Sequence, residues 1–499
     1  MASRKPGAAG VPSGVRDGAL PLSNGSLQQR VRDLYELIST RVHLCLPDMW
    51  IADRGYNSTL LLEILAFLCG GSLLLFGPYG WGKTTSAQVI AAILGGMPLR
   101  AVRLATIQGT PGLTDEKAVA PPNIAKLVHE GVLEPVWTAA ARCMVLVIDE
   151  LTRIPEIVQS GLLTGADDGH FAAFQGIIEK DRVVVYSTAN YERNRGSFEP
   201  IDALIDRHAW ACEVAWPGPA LARRISELDT ESVYRELGLR ERSEDAVELL
   251  TGPYEPERLE AFSDEYRALL AQRGVPTLMS EELDRVHDGI RAVPLCEEAE
   301  SYLGPLLSAV NSCVRMRNKR LSAFVEDFQV AQDCPADCRF DGMTCSKTLG
   351  GGSHRLDKAI RLGAAGLAWL TGASTVTEEH LRIILPFALL HRAQFSRALL
   401  DEVKSQPRRY SVRLEAARRV ADGFHAEYRE HGPVIAKARE WLVNHPDEVR
   451  DGLLMIDGAS MTLGEAPHPY IVDEAMSLYP EVDVLYPRIG APTDPVAVA

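Results

Sequence analysis

An α/β domain built on a parallel sheet, followed by an all-α domain and a C-terminal helical extension, is the fold class that this sequence predicts. Three observations predict it. Residues 77–85 read GPYGWGKTT directly after the apolar run SLLLF. A second apolar run, residues 144–148, ends in Asp149 and Glu150, and a third, RVVVY, runs into STAN and stops at Asn190. Beyond Pro217 the apolar residues recur mostly at helical spacing.

The first run defines a phosphate site. In G-x-x-x-x-G-K-T the loop from Gly77 through Pro78, Tyr79, Gly80 and Trp81 to Gly82 must turn sharply and bring backbone N–H groups against phosphate oxygens, which larger side chains at the glycines would obstruct. Lys83 then reaches the β- and γ-phosphates, the Thr84 hydroxyl binds Mg²⁺, and Thr85 continues the helix start. Val89, Ile90 and Ile93 fall on one helix face in TTSAQVIAAIL, so strand, loop and helix follow in the order that aims a helix N-terminus at the phosphates.

Mg²⁺ and an attacking water need carboxylates. In CMVLVIDELTR the two acids emerge at the C-terminal end of a buried strand, the edge where parallel sheets bind ligands. Asp149 is placed to hold the metal through water and Glu150 to orient or deprotonate the hydrolytic water. Asn190 ends the third strand, where its amide can contact the γ-phosphate or the water, although a strand-ending turn explains an Asn equally simply. FEPIDALIDRHAW is helical in period and closes on Asp206 and Arg207, and an arginine near a helix end is ordinarily just solvated.

Composition excludes several alternatives. The 499 residues, 46% hydrophobic and 24% charged, are those of an ordinary globular protein with two or three domains. A net charge of -15 disfavours nucleic acid as a partner, since grip on a polyanion draws on excess Lys and Arg. The run at 60–76, LLLEILAFLCGGSLLLF, carries Glu63 and a Gly-Gly-Ser break, and reads as a buried helix, a turn and a buried strand rather than a membrane span. With no secretory signal seen, a cytoplasmic location is expected. Nine cysteines, an odd number, argue for reduced thiols.

The order of phosphate loop, Asp-Glu strand, Asn-terminated strand and LIDRH resembles the AAA+ ATPases, specifically their MoxR branch in the helix-2-insert clade. LLLEILAFLCGGSLLLFGPYGWGKT is similar to that family's helix, Gly and strand lead-in. KLVHEGVLEPVWTAAARCMVLVIDELTRIPEIVQSGLL resembles its passage through the acidic motif, and GGSHRLDKAIRLGAAGLAWLTGASTVTEEHLRIILPFALLHR its lid helices, so that the likeness spans about residues 60–392. The resemblance implies ATP as substrate, Asn190 as sensor 1, Arg207 as the finger that reaches the neighbouring subunit's nucleotide, and Arg355 as sensor 2 of the lid. It also implies a homo-oligomeric, typically hexameric ring that remodels a client protein, chaperone-like work such as metalloenzyme maturation, often with a von Willebrand factor A domain partner. Two departures bear on geometry: His354 replaces the family's Pro before Arg355, and Asp206, Arg207, His208 replace its DRF. Substrate contact is expected in GTPGLTDEKAVAPPNIAKLVHEG and in GADDGHFAAFQGIIEKDR, with a hairpin turn at Asp168-Gly169.

The expected divisions are a disordered tail at 1–26, the AAA+ α/β domain at 27–217, a helical lid at 218–395, a helical extension at 396–488 and a flexible tail at 489–499. The lid holds a Cys-rich insertion at 334–345, with Cys334, Cys338 and Cys345 in C-x3-C-x6-C spacing. Thiolates converging from a short turn-rich loop suit Zn²⁺, with His354 or Cys313 as a fourth ligand; an iron-sulfur cluster with Cys313 or Cys296 is the sharper alternative, and reduced structural thiols the plain one. Two other functions stay open, a nucleic-acid-associated motor and a nucleotide-gated scaffold with weak hydrolysis. The choice of ATP over GTP has no readable code in LPDMWIADRG, where base contacts are expected.

Overall fold

The structure is a computed structural model that describes residues 24–190, 202–311, 338–479 and 482. A short hairpin of β1 (Met49–Ile51) and β2 (Arg54–Tyr56) precedes the main sheet, which is built from β3 (Ser72–Phe76), β4 (Ile107–Gln108), β5 (Val145–Asp149), β8 (Val184–Ala189) and β9 (Trp210–Glu213). The order is β4-β5-β8-β3-β9 and every pairing is parallel. Such a sheet is covered on both faces, which is why SLLLF, VLVID and VVYSTA are almost continuously apolar rather than alternating. The C-terminal ends of β3, β5 and β8 lie side by side, so the three motifs meet at one edge.

Residues 60–76 fold as their pattern predicts. The helix Ser58–Cys69 is capped by Asn57, whose side chain accepts from Leu60 N, and stopped by Gly70 in the left-handed region (φ 66). All twelve of its residues are buried, Glu63 among them. Glu63 Oε1 accepts from Ser86 Oγ at 2.6 Å, while Oε2 has no partner among the described residues, and burial pushes the carboxyl up to about 8. The folded protein thus keeps a proton that the unfolded chain releases near pH 4.5. Stability from this group is fully present below that value and is lost as pH rises toward 8, at about 1.4 kcal/mol per pH unit. Melting Glu63→Gln beside wild type from about pH 5 to about pH 8 should show the variant gaining in relative midpoint as pH rises; parallel curves would mean that Glu63 is ionised in the fold.

Two features depart from expectation. Helix Glu156–Asp168 ends on Gly169 (φ 73), so Asp168-Gly169 is a helix C-cap and not the hairpin turn. The hairpin lies beyond it, β6 (His170–Ala173) against β7 (Gly176–Glu179), and its two-residue turn is Phe174-Gln175, with Phe174 at φ 53. The helices after β9 also divide. Ser243–Thr251 packs on Leu99–Ala105, Pro256–Gln272 on Lys83–Gly95, and Ser280–Arg291 on both Ser58–Cys69 and the helix His354–Thr371. The first two of these helices are therefore layered on the nucleotide domain, anchored by the buried Arg267, whose guanidinium donates twice to Leu94 O (3.1 and 2.9 Å), and the third bridges to the lid helix.

Lid helices Glu297–Val310, His354–Thr371, Glu378–Leu389 and Arg397–Lys404 follow, then the 33-residue helix Val412–Asn444. The C-terminal region is helical but encloses a hairpin, β10 (Leu453–Ile456) and β11 (Ala459–Thr462), with its own core around Leu442, Leu454 and Ile471.

Candidate functional site

Lys83 opens the helix that follows the phosphate loop, and its ammonium is held by Gly77 O (2.7 Å), Pro78 O (2.8 Å) and Asn190 Oδ1 (2.9 Å). Asn190 is therefore no mere strand end, because it shares a cation with the loop. Burial lowers the Lys83 ammonium from its ordinary range, opposed by Asp149 and Glu150. Gly82 caps the helix at φ 80, and a Cβ there would stand 2.9 Å from His43 Cε1. His43 closes the segment before β1, and burial pushes its imidazole down to about 4, so a neutral ring braces the loop. Pro78, Tyr79, Gly80 and Thr85 are exposed at the loop's outer face. Trp81 pairs with Trp216, ring centroids 5.8 Å apart, linking the loop to the chain beyond β9.

At the end of β5, Asp149 Oδ1 accepts from Thr84 Oγ1 at 2.5 Å and from Thr188 Oγ1 at 2.7 Å, and the Thr188 hydroxyl in turn accepts from Glu150 N at 3.0 Å. Two hydroxyls and a carboxylate are a hard-oxygen set that fits Mg²⁺, which keeps several of its waters. Glu150 sits in the left-handed region (φ 54), which turns its carboxylate off the strand line, and Arg153 donates to Glu150 Oε2 at 2.7 Å. Sequence reading misses Thr188, Arg153 and His43. Thr188 had a signal, since it stands on the strand two residues before Asn190, which directly follows that strand, a spacing that keeps extended residues on one face.

Arg207 and Arg355 lie elsewhere. Arg207 O accepts from Ser72 Oγ at 3.0 Å, which places it beside the start of β3, whereas the phosphate loop leaves from that strand's other end. Five strand residues span about 16 Å, further than an arginine side chain reaches. The Arg207 guanidinium instead pairs with Asp167 at 3.0 Å, and Arg355 lies 3.6 Å from that carboxylate and 3.7 Å from Asp206. Asp206 also receives Arg392 at 2.7 Å and Ser353 Oγ at 3.1 Å. The two arginines thus form one cluster on a face remote from their own chain's Lys83. The two departures from the family pattern sit in different surroundings. His208 is fully buried with Nε2 2.9 Å from Ser187 Oγ, and burial pushes it down to about 4, so it packs as a neutral ring. His354 is exposed as the first residue of its helix, a position where Pro is equally tolerated.

The cysteine reading gains no support. Cys334 and Cys313 lie outside the described residues. Cys345 is buried among Phe340, Met343 and Leu349, Cys296 Sγ accepts from Ala299 N as a helix cap, and His354 is exposed. Among the described residues no three His, Cys, Asp or Glu side chains converge as a metal site.

Residues 72–207 match the family model of the AAA domain (dynein-related subfamily), and residues 345–409 match that of the AAA lid domain. No curated protein matches the chain by sequence. Among solved structures, a candidate ATPase from Cytophaga hutchinsonii is similar with a TM-score of 0.52 and 16% identity, covering 81% of this chain and 95% of that one, which speaks to the fold alone. A full-length MCM homologue from Methanopyrus kandleri aligns with a TM-score of 0.35 and 11% identity over 74% of this chain and 61% of that one. With its phosphate loop, acidic strand end and parallel five-stranded sheet, this chain carries an AAA domain and an AAA lid on a P-loop AAA+ fold.

Proposed function

We propose that the chain is a MoxR-type AAA+ ATPase that hydrolyses ATP in a homo-oligomeric, hexameric ring and turns the cycle into remodelling of a client protein. The observation that carries this is the joint placement of Arg207 and Arg355 on Asp167, out of reach of their own phosphate loop. Arginines so placed stabilise phosphoryl transfer only if a neighbouring copy presents its nucleotide to them, and head-to-tail contacts of that kind close into rings.

Within one site, Lys83 leaves the loop carbonyls for the β- and γ-phosphates, and Thr84 and Asp149 would hold Mg²⁺, which would supply positive charge against the transferring phosphoryl. Glu150 takes the proton of the attacking water, and Asn190 reads the γ-phosphate through the position it now shares with Lys83.

Client contact falls to two apolar projections. The helix Ile124–Glu130 buries none of its residues and leaves Ile124 and Val128 61% and 71% exposed; the β6–β7 hairpin exposes Phe174 and Ile177. Apolar side chains held out together mark a contact surface. A von Willebrand factor A domain partner, a metalloenzyme client and a cytoplasmic location complete this reading on family likeness. Among the described residues no single helix is long and apolar enough to cross a membrane.

The test mixes two variants expected to be inactive alone, Arg207→Ala and Lys83→Ala, at fixed total concentration and follows steady-state ATP hydrolysis. A complete site forms wherever an Arg207→Ala subunit meets the intact arginine of a Lys83→Ala neighbour, so equal amounts should recover up to about a quarter of wild-type activity. A mixture as inactive as its two components would remove the ring mechanism.

A further inference from the structure

A cavity of about 300 Å³ lies where the far end of helix Lys83–Gly95 and the start of β5 meet helices Pro256–Gln272 and Ser280–Arg291. Its walls are apolar, from Ala91, Met97, Ala105, Val145, Leu259 and Leu283. On one side it is lined by two cations, Arg142 and Lys180. Lys180 Nζ donates to Cys143 O and lies 5.4 Å from the Phe171 ring centre. Arg142 donates to the carbonyls of Trp137 (3.1 Å), Leu249 (3.2 Å) and Gly252 (2.7 Å), and lies 5.7 Å from the Tyr254 ring centre.

Among the described residues neither cation has a carboxylate within ion-pair distance. Three acids line the cavity, but Asp284 is engaged by Arg182 at 3.2 Å, and Asp181 and Glu260 are exposed. Of the two other cations that line the cavity, Arg182 is the one that holds Asp284, and Arg267 is matched by Asp264 at 2.8 Å. Withdrawing cations from water without an opposite charge is costly, and here burial lowers Arg142 from its ordinary range and pushes Lys180 down to about 8. Backbone carbonyls offset that only in part, whereas an anion would match both charges.

We propose that this cavity binds a small ligand with an anionic head and an apolar ring or short chain, the head between Arg142 and Lys180 and the body against the apolar walls. The position gives such a ligand leverage. Helix Lys83–Gly95 begins at the phosphate loop, and β5 ends in Asp149, so the occupant presses on both elements at the ends away from the nucleotide. Binding itself does not depend on the hydrolytic reading.

Pyridoxal 5′-phosphate serves as the probe, because it combines a phosphate, an aromatic ring and an aldehyde. The neutral Lys180 amine attacks the aldehyde carbon, water leaves, and borohydride then adds hydride to the C=N bond to fix the label for peptide mass spectrometry. Full-length protein is labelled with saturating Mg-ADP, which shields Lys83. We expect Lys180 to be modified at least tenfold faster than the exposed Lys117 and Lys358, and pyridoxal without its phosphate to lose that advantage. Ala105→Phe, which fills the cavity and leaves both cations in place, should slow Lys180 labelling about tenfold. Labelling of Lys180 no faster than of the exposed lysines, or equally fast with pyridoxal, overturns the proposal even if the variant does not fold; so does a folded Ala105→Phe that labels like wild type.

Discussion

Glu150→Gln is expected to lower steady-state ATP turnover about a hundredfold or more while nucleotide affinity stays near that of wild type, because positioned proton transfer typically contributes 10²–10⁴-fold. The variant keeps size and shape, and the Glu150 backbone N–H still reaches Thr188 Oγ1, so the metal-binding pair of Thr84 and Asp149 is undisturbed. Only the capacity to accept a proton goes. Loss of the Arg153 pair cannot mimic the effect. With Arg153 45% and Glu150 24% exposed, that contact is solvent-screened and weak beside the expected loss of turnover. Phosphate release measured beside equilibrium binding of a fluorescent ATP analogue separates the two. Turnover within a factor of ten of wild type would assign Glu150 to orientation, and a parallel loss of affinity would mean that the substitution has damaged the phosphate loop.

The parts of this site that were legible in the sequence are those coded by a few consecutive residues. Loop, helix start and strand-end acids each follow from local rules, and the parallel sheet only brings their ends together. What pairs across the fold was not legible. Asp167 reads as one acid of a helix end, yet it joins Arg207 to Arg355, nearly 150 residues further on. Asp-Gly signals were ambiguous for a definable reason: both a helix C-cap and a hairpin require a left-handed backbone. Asp168-Gly169 was assigned to the wrong one of these, while Asp457-Gly458 (φ 52 and 81) forms the hairpin turn between β10 and β11 inside the region 396–488 expected to be a helical extension. The cations Arg142 and Lys180 carried no sequence signal, since an unpaired charge is a statement about its neighbours.

Gly109→Ala is expected to damage the same site from the neighbouring strand. Gly109 follows β4 and donates from its backbone to Asp149 O at 2.8 Å. A Cβ at that position would stand 2.2 Å from Glu150 O and 2.7 Å from Asp149 O, and both obstructing atoms are backbone, which cannot swing aside as a side chain does. The end of β4 must therefore retreat, the bond to Asp149 breaks, and the residue that anchors Thr84 and Thr188 shifts. Overpacking of this kind costs about 1–3 kcal/mol, and misplacing a metal-binding carboxylate by a fraction of an ångström costs more in turnover than in stability. We expect a melting midpoint lower by several degrees and ATP turnover lower by about tenfold to a hundredfold. Gly112→Ala is the matched control three residues on, because a Cβ there meets nothing within 4 Å. Thermal melts and phosphate-release rates on the pair decide the matter. If Gly109→Ala behaves like Gly112→Ala, the close approach of β4 to the Asp149-Glu150 backbone does not set the position of the acids.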